Sequence, residues 1–182
     1  MGRTGQGYRT GPFLVVEVAY RGPTLVSKKF GLSEEELMTI FEKSDIRTHN
    51  ELLRAFAAAF DDHESYQSAV PSDEYLNKLL AREDFIPLVA IADGKVVGGL
   101  AAYVLQKFEQ ERSEVYIYDL AVLEEYRRQH IATGLINKLR EIAREIGAYV
   151  IFVQADHGDD PAIKLYESLG VREDVLQFDI EP

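Results

Sequence analysis

The chain has 182 residues, 46% of them hydrophobic and 28% charged, with a formal net charge of −11, a balance that suits one globular domain with a sizeable core. The negative charge argues against nucleic acid as a partner, and no apolar run approaches the roughly 20 residues that a membrane helix needs. With no cysteine present, disulfides, thiolate metal sites and a cysteine-bound acyl intermediate are excluded.

Residues 1–12, rich in Gly and Thr, read as a disordered segment ahead of a single domain over 13–182. No continuous apolar signal segment follows, so a cytoplasmic location is the default expectation. Phe13–Tyr20 and Thr24–Phe30 compete as the first strand. Ser33 followed by Glu34, Glu35 and Glu36 is an N-cap with a capping-box acid, predicting a helix to about Glu42. Asn50–Phe60 is a second helix, with Leu52, Leu53, Phe56, Ala57 and Phe60 at helical spacing. A third begins at Pro71-Ser72-Asp73, where Asp73 reads as a helix-start residue.

Phe85–Ala92 and Val96–Val104, joined through Asp93-Gly94, give the clearest hairpin signal in the chain. The next strand, within Ser113–Val122, is β-branched and aromatic apart from the carboxylate Asp119. A basic turn follows, Arg127-Arg128-Gln129-His130, leading into a helix over Ile131–Ile146 with Gly147 at its C-terminal cap. Ala148–Gln154 is all apolar until its last residue and reads as a strand buried on both faces. Asp160–Leu169 is a short helix with Pro161 in its first turn and Gly170 beyond its end. Val175–Ile180 closes the series as a last strand. Helices, then a hairpin, then alternating strands and helices predict a mixed α/β fold: a largely antiparallel sheet flanked by helices.

The turn at 127–133 carries the first functional signal. A helix's opening turn has unpaired N–H groups and the positive end of the dipole, so it attracts anions. Arg127 and Arg128 strengthen that reading, because guanidinium pairs with phosphate through two hydrogen bonds. Charge is also unevenly spread. The basic residues Arg127, Arg128, Lys138, Arg140 and Arg144 gather in one stretch. From Gln154 onward the acids Asp156, Asp159, Asp160, Glu167, Glu173, Asp174, Asp179 and Glu181 face only Lys164 and Arg172. A polyanionic donor and a cationic acceptor suit that division.

With these residues in view, the chain resembles the GNAT superfamily of acetyl-CoA-dependent N-acetyltransferases from about Leu52 onward. The superfamily's pyrophosphate motif, Gln/Arg-x-x-Gly-x-Gly/Ala, stands here as Arg127-Arg128-Gln129-His130-Ile131-Ala132. Its later motif stands as Asp159-Asp160-Pro161-Ala162, then Tyr166, then Leu169-Gly170. The strings LAAYVLQKFEQERSEVYIYDLAV and GAYVIFVQADHGDDPAIKLY, with FDIEP, are similar to the aminoglycoside 3-N-acetyltransferases of type I. That resemblance implies a GNAT fold, acetyl-CoA as co-substrate and a homodimer. It further implies direct acetyl transfer, in a ternary complex, to the 3-amino group of gentamicin-type drugs, which confers resistance.

It also distributes roles. Cofactor contacts fall to Arg127, Arg128, Gln129, His130, Ile131, Ala132 and Thr133, to Asp159 and Ala162, and to the backbone of Leu120, Ala121 and Val122. Tyr166 corresponds to the tyrosine that protonates the departing thiolate. Asp119 has three readings: the base for the acceptor amine, an anchor for its ammonium form, or a buried structural acid. Burial in an apolar strand would raise its pKa under any of them. Asp156, Asp159, Asp160 and Asp179, with Asp119, are the candidate acceptor-binding acids, although Asp159 and Asp160 also suit a helix cap beside Pro161. No ligand set has a recognised metal spacing, so no metal is expected.

Two features depart from the type I group: the portion before Leu52 is long, and His130 replaces the motif's glycine. His130 either adopts positive φ at a cost of about 1 kcal/mol, or sits in ordinary right-handed backbone, or blocks the ligand's passage over its Cα. The competing functional readings are a GNAT enzyme for a polyamine or peptide amine, and a non-catalytic acyl-CoA-binding module.

Overall fold

In the computed structural model, the described backbone comprises residues 14–17 and 34–182, with side chains from Ile46 onward. The elements are β1 (Leu14–Glu17), α1 (Glu34–Phe60), α2 (His63–Gln67), α3 (Asp73–Leu80), β2 (Phe85–Ala92), β3 (Lys95–Gln106), β4 (Ser113–Val122), α4 (Ile131–Glu145), β5 (Val150–Val153) and α5 (Asp160–Glu167). The sheet runs in sequence order. Strands β1 to β4 pair antiparallel, and β5 pairs parallel with β4. This is the expected mixed α/β sheet, and β1 lies within the segment Phe13–Tyr20. The Ser33 cap, the rival strand Thr24–Phe30 and residues 1–12 lie outside the described residues.

Hydrophobic burial divides between the two faces of the sheet. On one, Leu135, Leu139 and Ile142 of α4 pack on Ile86, Leu88, Leu100 and Ile117. On the other, Leu52 and Phe56 of α1 pack on Phe85, Val89 and Val96. Every apolar position that the sequence assigns to the inner side of α4 is buried or packed against this core. The hairpin turn also follows its sequence: Asp93 and Gly94 both have positive φ, 48° and 76°, as a two-residue turn between twisted strands requires. Ser72 accepts from the Tyr75 N–H at the start of α3, which leaves Asp73 as a first-turn acid.

Three expectations are corrected. The helices read over 33–42 and 50–60 are one continuous helix, Glu34–Phe60. The polar stretch between them contains no Gly or Pro to break it, so polarity alone did not end the helix. The strand read over Val175–Ile180 does not form: residues 171–182 have no regular secondary structure and are exposed throughout. For the same reason the all-apolar strand near 150 is not buried on both faces. β5 is four residues long and pairs with β4 alone, and Val150 and Phe152 remain 40% and 37% exposed.

Gly98 and Gly99 in β3 are required by close packing. A Cβ at Gly98 would lie 2.6 Å from the Ala121 carbonyl oxygen, and one at Gly99 would collide with the Leu88 carbonyl and with Leu52 Cδ1 of α1. Gly99 therefore lets α1 settle onto the sheet. Gly99→Ala should lower stability by about 1–3 kcal/mol through overpacking, read as a lower urea midpoint with an unchanged slope.

Candidate active site

The site is built around an irregularity in β4. Its pairing with β3 proceeds in step until Ala102 opposes Ile117 while the preceding Ala101 opposes Asp119, so Tyr118 is an extra residue in β4. Such a bulge reverses the sidedness of everything beyond it. Val115 and Ile117 face the α4 core, yet beyond the bulge it is Leu120 and Val122 that do so. Ala121 joins the α1 core instead. Asp119 shares the parity of Ala121. The bulge thus moves the carboxylate off the α4 core and onto the α1 face.

There Asp119 is half-buried, and the hydroxyl of Tyr66, on α2, is its hydrogen-bond partner. Loss of water pushes the Asp119 carboxyl above the usual range, while the Tyr66 bond pulls the other way. Tyr66 is itself pushed up strongly, by burial first and then by the adjacent Asp119 charge. Its ring is fixed by Phe60, stacked at 5.8 Å, and by Phe56, edge-on at 5.7 Å. Tyr103, Tyr118, Tyr116 and Phe152 continue an aromatic row across β3, β4 and β5, with successive ring centroids 6.0, 5.9 and 4.9 Å apart.

A second irregularity lies alongside. Parallel pairing of β4 with β5 ends at Ile117 opposite Val153, so Tyr118–Val122 run on without a β5 partner. The chain leaves β5 through the loop 154–159 and returns in α5. Tyr166 of α5 is half-buried against the α4 core. Burial, aided by the Asp159 charge, pushes its phenol up to about 12, so it stays protonated at neutral pH.

The third part is the turn between β4 and α4. His130 stands before the helix with φ 60° and ψ 17°, left-handed, and makes no side-chain capping bond. Arg128, two residues earlier, is also left-handed with φ 59°. For non-glycine residues this conformation costs about 1–2 kcal/mol each. Of the three readings for His130, the ordinary right-handed backbone is ruled out. Without a side-chain cap, the first-turn amides of α4 suit an anion. Ile131, Ala132 and Thr133 carry the N–H groups of that opening turn, the place where a diphosphate could be held.

The family model described as acetyltransferase (GNAT) family matches residues 47–171. The chain belongs to the GNAT family. Among solved structures, the aminoglycoside acetyltransferase HMB0005, from an uncultured soil metagenomic sample, is 46% identical with a TM-score of 0.75, covering 93% of this chain and 98% of its own. The aminoglycoside acetyltransferase meta-AAC0020, from the same kind of source and crystallised with sisomicin, is 35% identical with a TM-score of 0.71, covering 77% and 91%. Among curated proteins, an N-alpha-acetyltransferase of Saccharolobus solfataricus is 33% identical over 95 residues, 46% of this chain and 54% of that protein. The chain spans about half or less of the length of the first such relatives, 39% to 55%.

Several residues singled out in this GNAT chain for the cofactor or the acceptor also make structural contacts. The Arg127 guanidinium, although exposed, is engaged by backbone carbonyls. Its Nε donates to the Val122 carbonyl at 3.0 Å and its Nη2 to the Ala59 carbonyl at 3.1 Å, tying the end of β4 to the end of α1. Gln129 Nε2 donates back to the Glu125 carbonyl at 3.4 Å. Arg140 Nη2 donates to the Leu169 carbonyl at 2.5 Å, fastening α5 to α4, and Lys138 pairs with Glu141. The basic stretch is therefore partly architectural. Asp159 accepts from the Ala162 N–H at 3.2 Å, so it is the N-cap of α5, the alternative its position beside Pro161 allowed. Asp156 and Asp160 are exposed near that cap, whereas Asp179 lies in the exposed stretch beyond α5.

Among the described residues no group of three or more His, Asp or Glu is arranged to hold a metal, and no helix is long and apolar enough to cross a membrane. Tyr66 had no signal in the sequence, because a five-residue helix leaves no periodicity.

Two measurements test this site. Tyr66→Phe removes the bond that lowers the Asp119 pKa and leaves the desolvation that raises it. The Asp119 pKa should therefore rise further, as read from a carboxyl-carbon NMR titration, and its ionised fraction at neutral pH should fall. His130→Gly removes left-handed strain but adds freedom to the unfolded chain, so stability should change by less than about 1 kcal/mol. CoA affinity by calorimetry should be equal or tighter.

Proposed function

We propose that the chain transfers the acetyl group of acetyl-CoA directly to the 3-amino group of a gentamicin-type aminoglycoside, and so confers resistance to it. The observation that carries this reading is Asp119, held by the β4 bulge on the α1 face with its basicity raised by burial and moderated by Tyr66. An amine acceptor must lose a proton to become nucleophilic, and Asp119 is the group to take it, directly or through water. The resemblance to sisomicin-bound meta-AAC0020 supports an aminoglycoside as acceptor.

Acetyl-CoA supplies the reactive thioester; the protein's residues position it and move protons. The α4 turn from Arg128 to Thr133 receives the diphosphate on its amides. The backbone of Leu120, Ala121 and Val122, paired with β3 but without a β5 partner, lines the pantetheine arm and polarises the acetyl carbonyl. As the new N–C bond forms and the C–S bond breaks, Asp119 holds the amine's proton and the Tyr166 hydroxyl gives one to the thiolate. A phenol raised to about 12 is a weaker acid than free tyrosine, so the Tyr166 donation must be coincident with C–S cleavage. Asp156, Asp160 and Asp179 attract the drug's further ammonium groups, each exposed contact worth about 0–1 kcal/mol. Asp159 acts through the α5 cap that orients Tyr166.

A second reading keeps the chemistry and changes the acceptor to a peptide amine, since curated relatives include N-alpha-acetyltransferases. A panel of gentamicin, sisomicin, spermidine and short peptides, followed by thiol release, separates the two. The drugs should be turned over, and turnover of peptides or spermidine alone would defeat the aminoglycoside reading. Asp119→Asn should lower kcat by about 10²–10⁴ with acetyl-CoA affinity unchanged. A binding module without catalysis would show no turnover to lose. KM for the drug should rise with ionic strength as the acidic contacts are screened.

A further inference from the structure

We propose that Tyr118, the extra residue of β4, is the platform on which the amine-bearing ring of the acceptor lies, and that it favours ring-borne amines over flexible ones, an inference that rests on the acceptor being an aminoglycoside. In a regular strand, successive side chains point to opposite faces. Tyr118 escapes that rule because it has no β3 partner of its own: Ala102 opposes Ile117 and Ala101 opposes Asp119. Its ring meets Tyr103 and Tyr116 nearly at right angles, at 6.0 and 5.9 Å between centroids. Tyr103 packs against the α1 core, as does Ala121, whose parity Asp119 shares. Tyr118 and Asp119 therefore stand side by side on one face of the sheet. An aromatic ring lies next to the carboxylate that takes the amine's proton.

Tyr118 is held in place and yet open. Two neighbouring rings set its orientation, while the residue stays 63% exposed. Tyr116 is fixed in turn, by stacking on Phe152 at 4.9 Å and by donating its hydroxyl to Gln154 Oε1 at 2.8 Å. Packing does not account for a large ring kept in water by such supports. An exposed aromatic patch beside a reactive group suits a ligand, and tyrosine gives broad contact area at small entropic cost.

The occupant follows from shape and charge together. A saturated six-membered ring with equatorial amines turns its axial C–H groups toward whatever lies above and below it. Those faces settle on an aromatic ring, and the adjoining ammonium groups are drawn to its negative π-face. Carboxylates stand at both ends of the stretch from Tyr118 to Phe152. Asp119 is next to Tyr118, and the exposed Asp156 lies in the loop that follows β5. A rigid polycation lying along this stretch meets acid at each end and aromatic surface between. A linear polyamine or a peptide terminus carries the charge but has no ring face to lay down.

The test is steady-state kinetics of the full chain with gentamicin, at low salt and at about 0.5 M salt, where the acidic contacts are screened. Tyr118→Leu should raise the KM for gentamicin about tenfold at both salt levels, as loss of a partly desolvated aromatic contact to a cation requires. Its kcat should fall by less than about threefold, the split that marks lost binding and not lost chemistry. Tyr118→Phe keeps the ring and should stay within about twofold of the wild-type KM. Spermidine, added as a flexible competitor, should inhibit Tyr118→Leu and wild type within about twofold of each other. In the wild type with CoA bound, NMR saturation of tyrosine ring protons should transfer to C–H protons of the drug ring that carries the 3-amino group. An unchanged KM in Tyr118→Leu, a loss confined to kcat, an equal loss in Tyr118→Phe, or equal weakening of spermidine overturns the platform and leaves the aminoglycoside reading standing. Wild-type turnover of peptides or spermidine without gentamicin defeats that reading, and the platform with it. Should Tyr118→Leu fail to fold, the wild-type saturation transfer decides, and its absence overturns the proposal.

Discussion

The extra residue in β4 is the constraint on which the site depends. A regular strand would point Asp119 to the same side as Val115 and Ile117, into the α4 core among Leu135, Leu139 and Ile142. A carboxylate there would be desolvated without a partner, at a cost of several kcal/mol or loss of its charge. The bulge at Tyr118 avoids that outcome and brings the group to the α1 face, where the Tyr66 phenol stands beside it and an aromatic row borders it. The same strand loses its β5 partner just before this point, so one short stretch of backbone is both re-aimed and uncovered.

Two left-handed non-glycine residues two positions apart, Arg128 and His130, show a second form of local conflict. The turn is stable because its surroundings over-determine it: Leu123 and Val97 fix its start by a backbone bond of 2.9 Å, and Gly134 donates to the His130 carbonyl at 2.9 Å beyond it. Strain of this kind collects where a backbone must present amides outward, because a relaxed helix cap would satisfy those amides internally. His130 therefore gives the turn the conformation that glycine would have adopted without penalty. It leaves the α4 dipole uncapped.

Much of this was legible in the residues themselves. Asp93-Gly94 dictated its hairpin, the 3.6-residue repeat from Ile131 dictated α4, and Pro161 and Gly170 bracketed α5. The unbroken helix across 43–49 was not, because a polar stretch resembles a loop when only its apolar spacing is considered. Nor was the bulge, since alternation in Tyr116-Ile117-Tyr118-Asp119 is compatible with either register and only pairing with β3 decides it. Tyr66 and the carbonyl partners of Arg127 depend on contacts between elements distant in sequence, which no local pattern encodes. The alternation over 176–181 was readable; whether a strand forms depends on what lies beside it.

The fork of Arg127 has a consequence for how this turn tolerates change. One planar guanidinium spans two carbonyls from separate parts of the chain, Val122 and Ala59, some sixty residues apart. An ammonium carries the same charge but lacks the rigid planar fork that serves two separate acceptors at once. Charge alone is therefore a poor guide to which substitutions position 127 accepts: the position selects for the shape of its side chain, as a mortise does for its tenon.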